Sequence, residues 1–200
     1  MATDVVFVDL AAEHVPAVAA LHRESLAGDF LPSLGQRFLE VLYTGMLDLA
    51  LGWGVVALDG QSPVGFVLAT PDSRLLFRRL IRRRALPLAL AVGRSLLRSP
   101  SLVRPTLETF LYPSREGHEG PPAELLVIAV RGERRGDGVG AGLVRRLDEA
   151  MASRGVSSYK VTVLGRNEGA NRFYRRNGFE SAAAFTMYGQ TWNLYRKTHV

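Results

Sequence analysis

Two hundred residues, 47% of them hydrophobic, with a formal charge of +6, suit one domain or one domain carrying an insertion. The absence of cysteine excludes disulfides and thiolate metal sites, and the four histidines (His14, His22, His118, His199) lack metal-ligand spacing and are expected at the surface, so no metal is expected. No apolar N-terminal segment reads as a signal peptide, and the longest apolar run, Ala85 to Val92, is far shorter than the ~20 residues of a membrane span; a cytoplasmic protein is expected.

Val5 to Asp9 reads as a first strand. Ala11 to Leu26, apolar at 15, 18, 21 and 26, reads as a helix. A second helix is predicted over Leu34 to Leu49, with Leu34, Phe38, Leu42 and Met46 on one stripe. Trp53 to Leu58 and Val64 to Thr70 are strands joined by the turn-rich Asp59 to Pro63. Residues 71–122 then intervene before the next strand, and a connector of that length normally carries structure of its own. Arg74 to Arg84 and Leu88 to Leu97 read as two helices, Leu102 to Leu111 as a third candidate, and Pro113 to Pro122 as a loop.

This insertion holds ten arginines against Asp72, Glu108, Glu116 and Glu119, so it carries all of the net charge. It reads either as a solvated helical face that shields the core or as an acceptor-side platform that attracts an anion. Candidate anions are a nucleotide-linked sugar, a phosphorylated metabolite, a coenzyme or an anionic lipid surface. Nucleic acid is not expected, because a binding motif and interleaved aromatics are both missing. Arginine supplies 23 of the 25 basic residues, a compositional bias that lowers the weight of any single arginine.

Leu125 to Val130 is an apolar run of the length of a strand buried on both faces. Arg131 to Gly142 is basic and glycine-rich, and a helix starting near Val139 runs to Ser153 with Leu143, Leu147 and Met151 at spacing four. Glycines let backbone approach a ligand, and a helix start offers unpaired N–H groups and the positive end of its dipole. Together they form a cradle for a phosphate or diphosphate. A P-loop needs Lys and then Ser or Thr after its last glycine, but Gly140 is followed by Ala141 and Gly142. A dinucleotide fingerprint through Gly136, Gly138 and Ala141 sits too far from its strand, since Arg131 to Arg135 intervene. The pattern Arg-x-x-Gly-x-Gly is met by Arg135, Gly138 and Gly140.

Tyr159 to Leu164 follows as a strand rich in β-branched residues. Residues 167–179 read NEGANRFYRRNGF. Asn167 can cap a helix with Ala170, Phe173 and Tyr174 on its apolar side, Gly178 can end it in the left-handed conformation, and Phe179 begins the next strand. Ser181 to Tyr188 and Thr191 to Arg196 read as a closing hairpin around Gly189-Gln190.

The arginine–glycine pattern resembles the coenzyme A diphosphate loop of the GNAT superfamily of N-acetyltransferases. The second segment resembles that superfamily's Asn-x-x-Ala-x-x-aromatic-Tyr-x-x-x-Gly-Phe motif, matched at Asn167, Ala170, Phe173, Tyr174, Gly178 and Phe179. The resemblance implies one domain over 1–200 of mixed α/β (α+β) class. Its mostly antiparallel central sheet has about seven strands with flanking helices, is splayed between strands four and five, and carries the helical insertion between strands three and four.

The resemblance also implies acetyl-CoA as co-substrate. Gly136, Gly138, Val139 and Gly140 would meet its diphosphate, with Arg135 adding charge. Val130 would pair with the pantetheine arm, Ile128 N–H would sit near the thioester oxygen, and Asn167 would hydrogen-bond the pantetheine. Tyr174 is the candidate acid: a phenol of pKa ~10 stays protonated at neutral pH and can donate to a thiolate of pKa ~8.5. The alternative for Tyr174 is a packing ring with its hydroxyl at the surface. Glu124 matches the position of a glutamate base in some members, and reads equally as a strand-edge charge facing solvent. The acceptor, a small molecule or an exposed amine with an anion as a candidate, is expected among Leu26 to Phe38, the insertion and the final hairpin. A monomer or a homodimer fits. Two alternatives to catalysis in solution stay open: a non-catalytic acyl-CoA-binding module, and an acyltransferase docked on an anionic membrane through the insertion.

Overall fold

The computed structural model describes residues 5–98, 120–187 and 189–198. The chain enters through β1 (Val6–Asp9) and a 3₁₀ turn (Ala12–His14), then α1 (Val15–Ser25), a short helical turn α2 (Phe30–Ser33) and α3 (Gln36–Asp48). Next come β2 (Trp53–Asp59), β3 (Ser62–Thr70), α4 (Ser73–Arg98) and β4 (Glu124–Val130). The C-terminal part holds a 3₁₀ turn (Gly132–Arg134), α5 (Val139–Ser153), β5 (Ser158–Leu164), α6 (Glu168–Arg176), β6 (Glu180–Met187) and β7 (Gln190–Thr198).

The seven strands form one sheet in the order β1-β2-β3-β4-β5-β7-β6. Every neighbouring pair is antiparallel except β4–β5, which is parallel. This is the mixed sheet that the sequence led us to expect.

The sheet is covered on both faces. On one, Val18, Leu21, Phe38, Leu39, Leu42 and Met46 of α1 and α3 pack with Phe66 and Leu68 of β3. On the other, Leu143, Val144, Leu147 and Met151 of α5 pack with Val67, Leu125 and Val161. Each such side chain contributes about 1.5–3 kcal/mol on burial. Helix α5 lies close on β1: a Cβ at Gly142 would stand 2.4 Å from the ring of Phe7, so any larger residue would have to displace that ring.

A bulge sets the course of β4. Leu68 pairs with Val127 while Ala69 pairs with Leu125, which leaves Leu126 as an extra residue. Leu126 and Val127 consequently both turn toward the α1–α3 face, and Ile128 and Val130 toward the α5 face. Such a bulge bends and twists its strand. Beyond it β4 leaves β5. The two strands are in register only at Glu124 and Lys160, where Lys160 N–H donates to Ala123 O at 3.0 Å. In contrast, β5 pairs with β7 along its whole length, Ser158 to Leu164.

Several expectations need correction. The helix expected over Leu34 to Leu49 is split: Leu34 is buried outside helix, and Gly35, at φ +98°, separates α2 from α3. The two helices expected at 74–84 and 88–97 are one helix, α4, with Pro87 inside it. Proline costs about 3 kcal/mol in a helix interior. Here Leu76 and Leu80 before it and Leu88, Ala91 and Val92 after it are all buried, so packing on both sides offsets the missing N–H. Ser73 N–H donates to Pro122 O at 3.1 Å, so the insertion leaves and rejoins the sheet at one point. The candidate helix 102–111 and residues 113–119 lie outside the described residues, as do His118 and His199.

His22 is not at the surface. It is 2% exposed, against Phe66 and Tyr43, and its Nδ1 shares a short hydrogen bond with the Tyr43 hydroxyl. Burial pushes its pKa down to about 4, and pushes the Tyr43 phenol well above its ordinary value. His14 is half-buried, and its Nδ1 accepts from Ala11 N–H at 3.0 Å.

Candidate functional site

The opening between β4 and β5 is lined by main chain. Arg131 N–H donates to Val64 O at 2.8 Å, which makes Gly65–Val130 a non-hydrogen-bonded pair of the β3–β4 ladder. Val130, and Ile128 two residues earlier, therefore point their N–H and C=O groups away from β3 and into the opening. The same logic applies across the gap. Gly165 N–H donates to Thr191 O at 2.8 Å, so Leu164, Thr162 and Lys160 turn their backbone groups away from β7 and toward β4. The two strands thus present polar backbone to each other while pairing at one register position.

The glycine segment closes the end of this opening. Gly136 (φ +96°) and Gly138 (φ +81°) are left-handed, and a Cβ at either would meet nothing within 4 Å. These positions call for glycine because of backbone conformation, and the space beside them is open. Among the described residues, no backbone carbonyl accepts from the N–H groups of residues 136–141, the donors that a helix start leaves over. Val139 is the first residue of α5 and is buried. Gly140 touches the second motif: a Cβ there would stand 3.0 Å from Phe173 and 3.8 Å from Val130.

The local arginines differ in what they meet. Arg134 contacts Asp59 at 3.2 Å and Asp137 at 3.3 Å, and Arg131 lies 3.8 Å from Glu133. Arg135 instead donates to the carbonyls of Val130 and Ser25, both at 3.2 Å. Its charge meets no carboxylate among the described residues, and its fold-back links the end of α1 to the end of β4.

Asn167 caps α6, its Oδ1 accepting from Ala170 N–H at 3.0 Å, and Gly178 is left-handed at φ +82°. The Tyr174 ring is buried, with ring centres 5.3 Å from Phe173, 5.2 Å from Phe179 and 6.2 Å from Tyr195. Burial raises its pKa above that of an ordinary phenol. It lies in the same cluster as Ile128 and Val130.

Glu124 does not face solvent as a strand-edge charge. It is buried, and its Oε2 lies 3.9 Å from Nζ of the equally buried Lys160. The pair sits at the vertex, where β4 and β5 are still in register.

These features, a glycine-built start of α5, a parallel pair that parts, and α6 against the glycines, fit a long ligand with a diphosphate at one end. A sequence profile described as the acetyltransferase (GNAT) family matches residues 22–179. The chain belongs to the GNAT acetyltransferase family. Membership implies acyl-CoA-dependent acetyl transfer. Solved GNAT structures share the fold. One is a GNAT-family acetyltransferase from Desulfovibrio desulfuricans, 17% identical, TM-score 0.64, covering 98% of this chain and 99% of that one. Another is the PaiA N-acetyltransferase of Thermoplasma acidophilum in complex with coenzyme A, 13% identical, TM-score 0.60, covering 98% and 99%. A third is Ard1 from Thermoplasma volcanium, 16% identical, TM-score 0.61, covering 98% of each. No curated protein matches the chain significantly in sequence.

The GNAT motif also contains a residue that sequence reasoning passed over. Asn171 is buried, and its Nδ2 lies within hydrogen-bonding distance of Leu164 O (3.0 Å), Gly165 O (3.2 Å) and Asn167 O (2.7 Å). Its Oδ1 accepts from Asn193 Nδ2 at 2.8 Å and the Tyr195 hydroxyl at 3.0 Å. Asn171 therefore ties the end of β5 to α6 and β7, and joins Asn167 N–H, which donates at 2.9 Å, in engaging the Leu164 carbonyl. The available signal was a polar residue four after Asn167 and three before Tyr174, on the helix's inner stripe. Among the described residues no cluster suited to a metal is present, and no described helix is long and apolar enough to cross a membrane.

Proposed function

We propose that the protein is an acetyl-CoA-dependent N-acetyltransferase, one domain over 1–200, that passes an acetyl group to a primary amine by direct attack with both substrates bound. The observation that supports it most is the opening between β4 and β5, faced by the polar backbone of Ile128, Val130 and Thr162 and ending on the open N–H groups of residues 136–141.

When bound, the co-substrate supplies an acetyl thioester. The chain's part is to hold and polarise it. Backbone N–H groups of Gly136, Gly138, Val139 and Gly140 would bind a diphosphate at the positive end of α5, and Arg135 would add its charge. The backbone of Val130 would bind the pantetheine arm as a further strand would, with Asn167 donating from its amide. Ile128 N–H would donate to the oxygen that gains charge during attack.

Two proton transfers remain. A primary amine of pKa ~10.4 arrives protonated at neutral pH and must lose a proton before it attacks. Glu124 would take that proton, directly or through water. Tyr174 would give one to the departing thiolate, and its raised pKa keeps the phenol protonated at the moment of need.

The test follows free thiol across a panel of amines with acetyl-CoA, alongside calorimetry of acetyl-CoA binding. Release that requires both the protein and an amine is expected. Absence of binding heat would remove the co-substrate assignment. Binding without release for any amine would favour a non-catalytic acyl-CoA module.

A further inference from the structure

We propose that α4 docks the protein on anionic lipid bilayers, lying along the membrane surface on one face. This rests on the exposed side of the helix and not on the acetyltransferase reading.

Along α4, Arg79, Arg83, Leu86 and Leu90 recur at spacings of four, three and four, so they stand in one row, with Arg78 and Arg82 beside it. All six side chains are exposed. Leu86 is 69% and Leu90 72% exposed, and Ile81 on the same helix is 40% exposed. The only other exposed large hydrophobic residue noted among the described ones is Val6. The opposite side of α4 buries Leu76, Leu80, Leu88, Ala91 and Val92. Arg84 is paired with Asp48 of α3, and Ser95 Oγ donates to Leu34 O at 3.0 Å, so the helix is pinned at two points to the elements below it. The outer row is thus presented on a fixed support.

The chemistry selects the occupant. The helix sequence contains no acidic residue, so the exposed arginines lack carboxylates on their own element and present concentrated positive charge. An anionic headgroup layer matches that charge, and the acyl boundary just beneath it matches the leucines. This combination is that of a helix lying in a membrane interface, with arginine stems reaching back to the headgroups. A nucleic acid would satisfy the arginines but offer nothing apolar to Leu86 and Leu90. A second copy docked through this helix would bring no acidic residue of α4 to its arginines.

The experiment is vesicle flotation of the full chain at physiological salt. Phosphatidylcholine vesicles are compared with phosphatidylcholine containing a minority of phosphatidylglycerol. We expect flotation only with the anionic vesicles, weakening as salt is raised. Replacing Arg78, Arg79, Arg82 and Arg83 by Gln should weaken partitioning about fivefold per arginine, or several hundredfold in all. The pair Leu86→Ser and Leu90→Ser should weaken it at least tenfold, because burial of apolar side chains is lost. All six side chains are exposed, so circular dichroism should be unchanged in both variants. No flotation with anionic vesicles would overturn the proposal, as would equal flotation of wild type and either variant. So would duplex DNA binding as tight as the vesicle binding, or a concentration-dependent dimer, seen by light scattering, that the leucine variant abolishes.

Discussion

The two faces of the sheet deploy charge and polarity in opposite ways. On the α5–α6 face, Arg131 and Arg134 lie beside carboxylates, and the groups left open are backbone amides at residues 136–141. On the α3–α4 face, Tyr43, hydrogen-bonded to the buried neutral His22, shares a core cluster with the inner side of a helix whose outer side carries exposed arginines and leucines. The segment holding all the net charge, 71–122, is thus distinct in sequence from the glycine segment with its open amides. A ligand site is made by where backbone groups converge, whereas a charged patch acts at longer range on surfaces.

The largest effect expected from breaking the first face comes from Tyr174→Phe. Removing a general acid should lower turnover about 10²–10⁴-fold, with little change in acetyl-CoA affinity by calorimetry. Unchanged turnover would remove Tyr174 as the acid. Asn171→Ala should come next. It removes the side-chain donor to Gly165 O and the acceptor for Asn193 Nδ2 and the Tyr195 hydroxyl, while Leu164 O and Asn167 O keep the backbone donors Asn167 N–H and Asn171 N–H, at about 1–3 kcal/mol for each buried group left unsatisfied. A loss of about 2–4 kcal/mol by denaturant unfolding, with weaker acetyl-CoA binding, is expected. Unaltered stability would show that Asn171 is dispensable.

On the second face the expected effect depends on pH. His22 titrates near 4 when folded and near 6.5 when free. The unfolded chain therefore takes up this proton first, so the contribution to stability is complete above pH 6.5 and is lost as pH falls toward 4. The stability difference between wild type and His22→Gln should narrow over that window by up to about 3 kcal/mol. A difference independent of pH would show that His22 titrates normally.

The sequence was legible where backbone conformation dictates residue type. Gly138 and Gly178 mark the left-handed positions that open α5 and close α6, and Asn167 announces its own cap. The limits of α5 match expectation, and β5 starts one residue earlier. Legibility failed where tertiary packing overrides a local rule. Pro87 suggests a helix break, but buried leucines on either side keep α4 continuous. The Leu126 bulge that turns β4 aside has no local signature in an unbroken apolar run, because its cause is register with β3. His22 is polar by type and buried by position, since its partner Tyr43 is 21 residues away. Nor does sequence spacing show that Glu124 meets Lys160, because the pair forms only when the fourth and fifth strands touch.

In the proposed function, acetyl-CoA lies between β4 and β5 with its diphosphate on the glycine segment. A crystal structure with coenzyme A tests it directly. Diphosphate oxygens are expected within hydrogen-bonding distance of the N–H groups of residues 136–140, and the pantetheine arm alongside Ile128 and Val130. A diphosphate bound elsewhere, or β4 and β5 hydrogen-bonded along their full length, would contradict it.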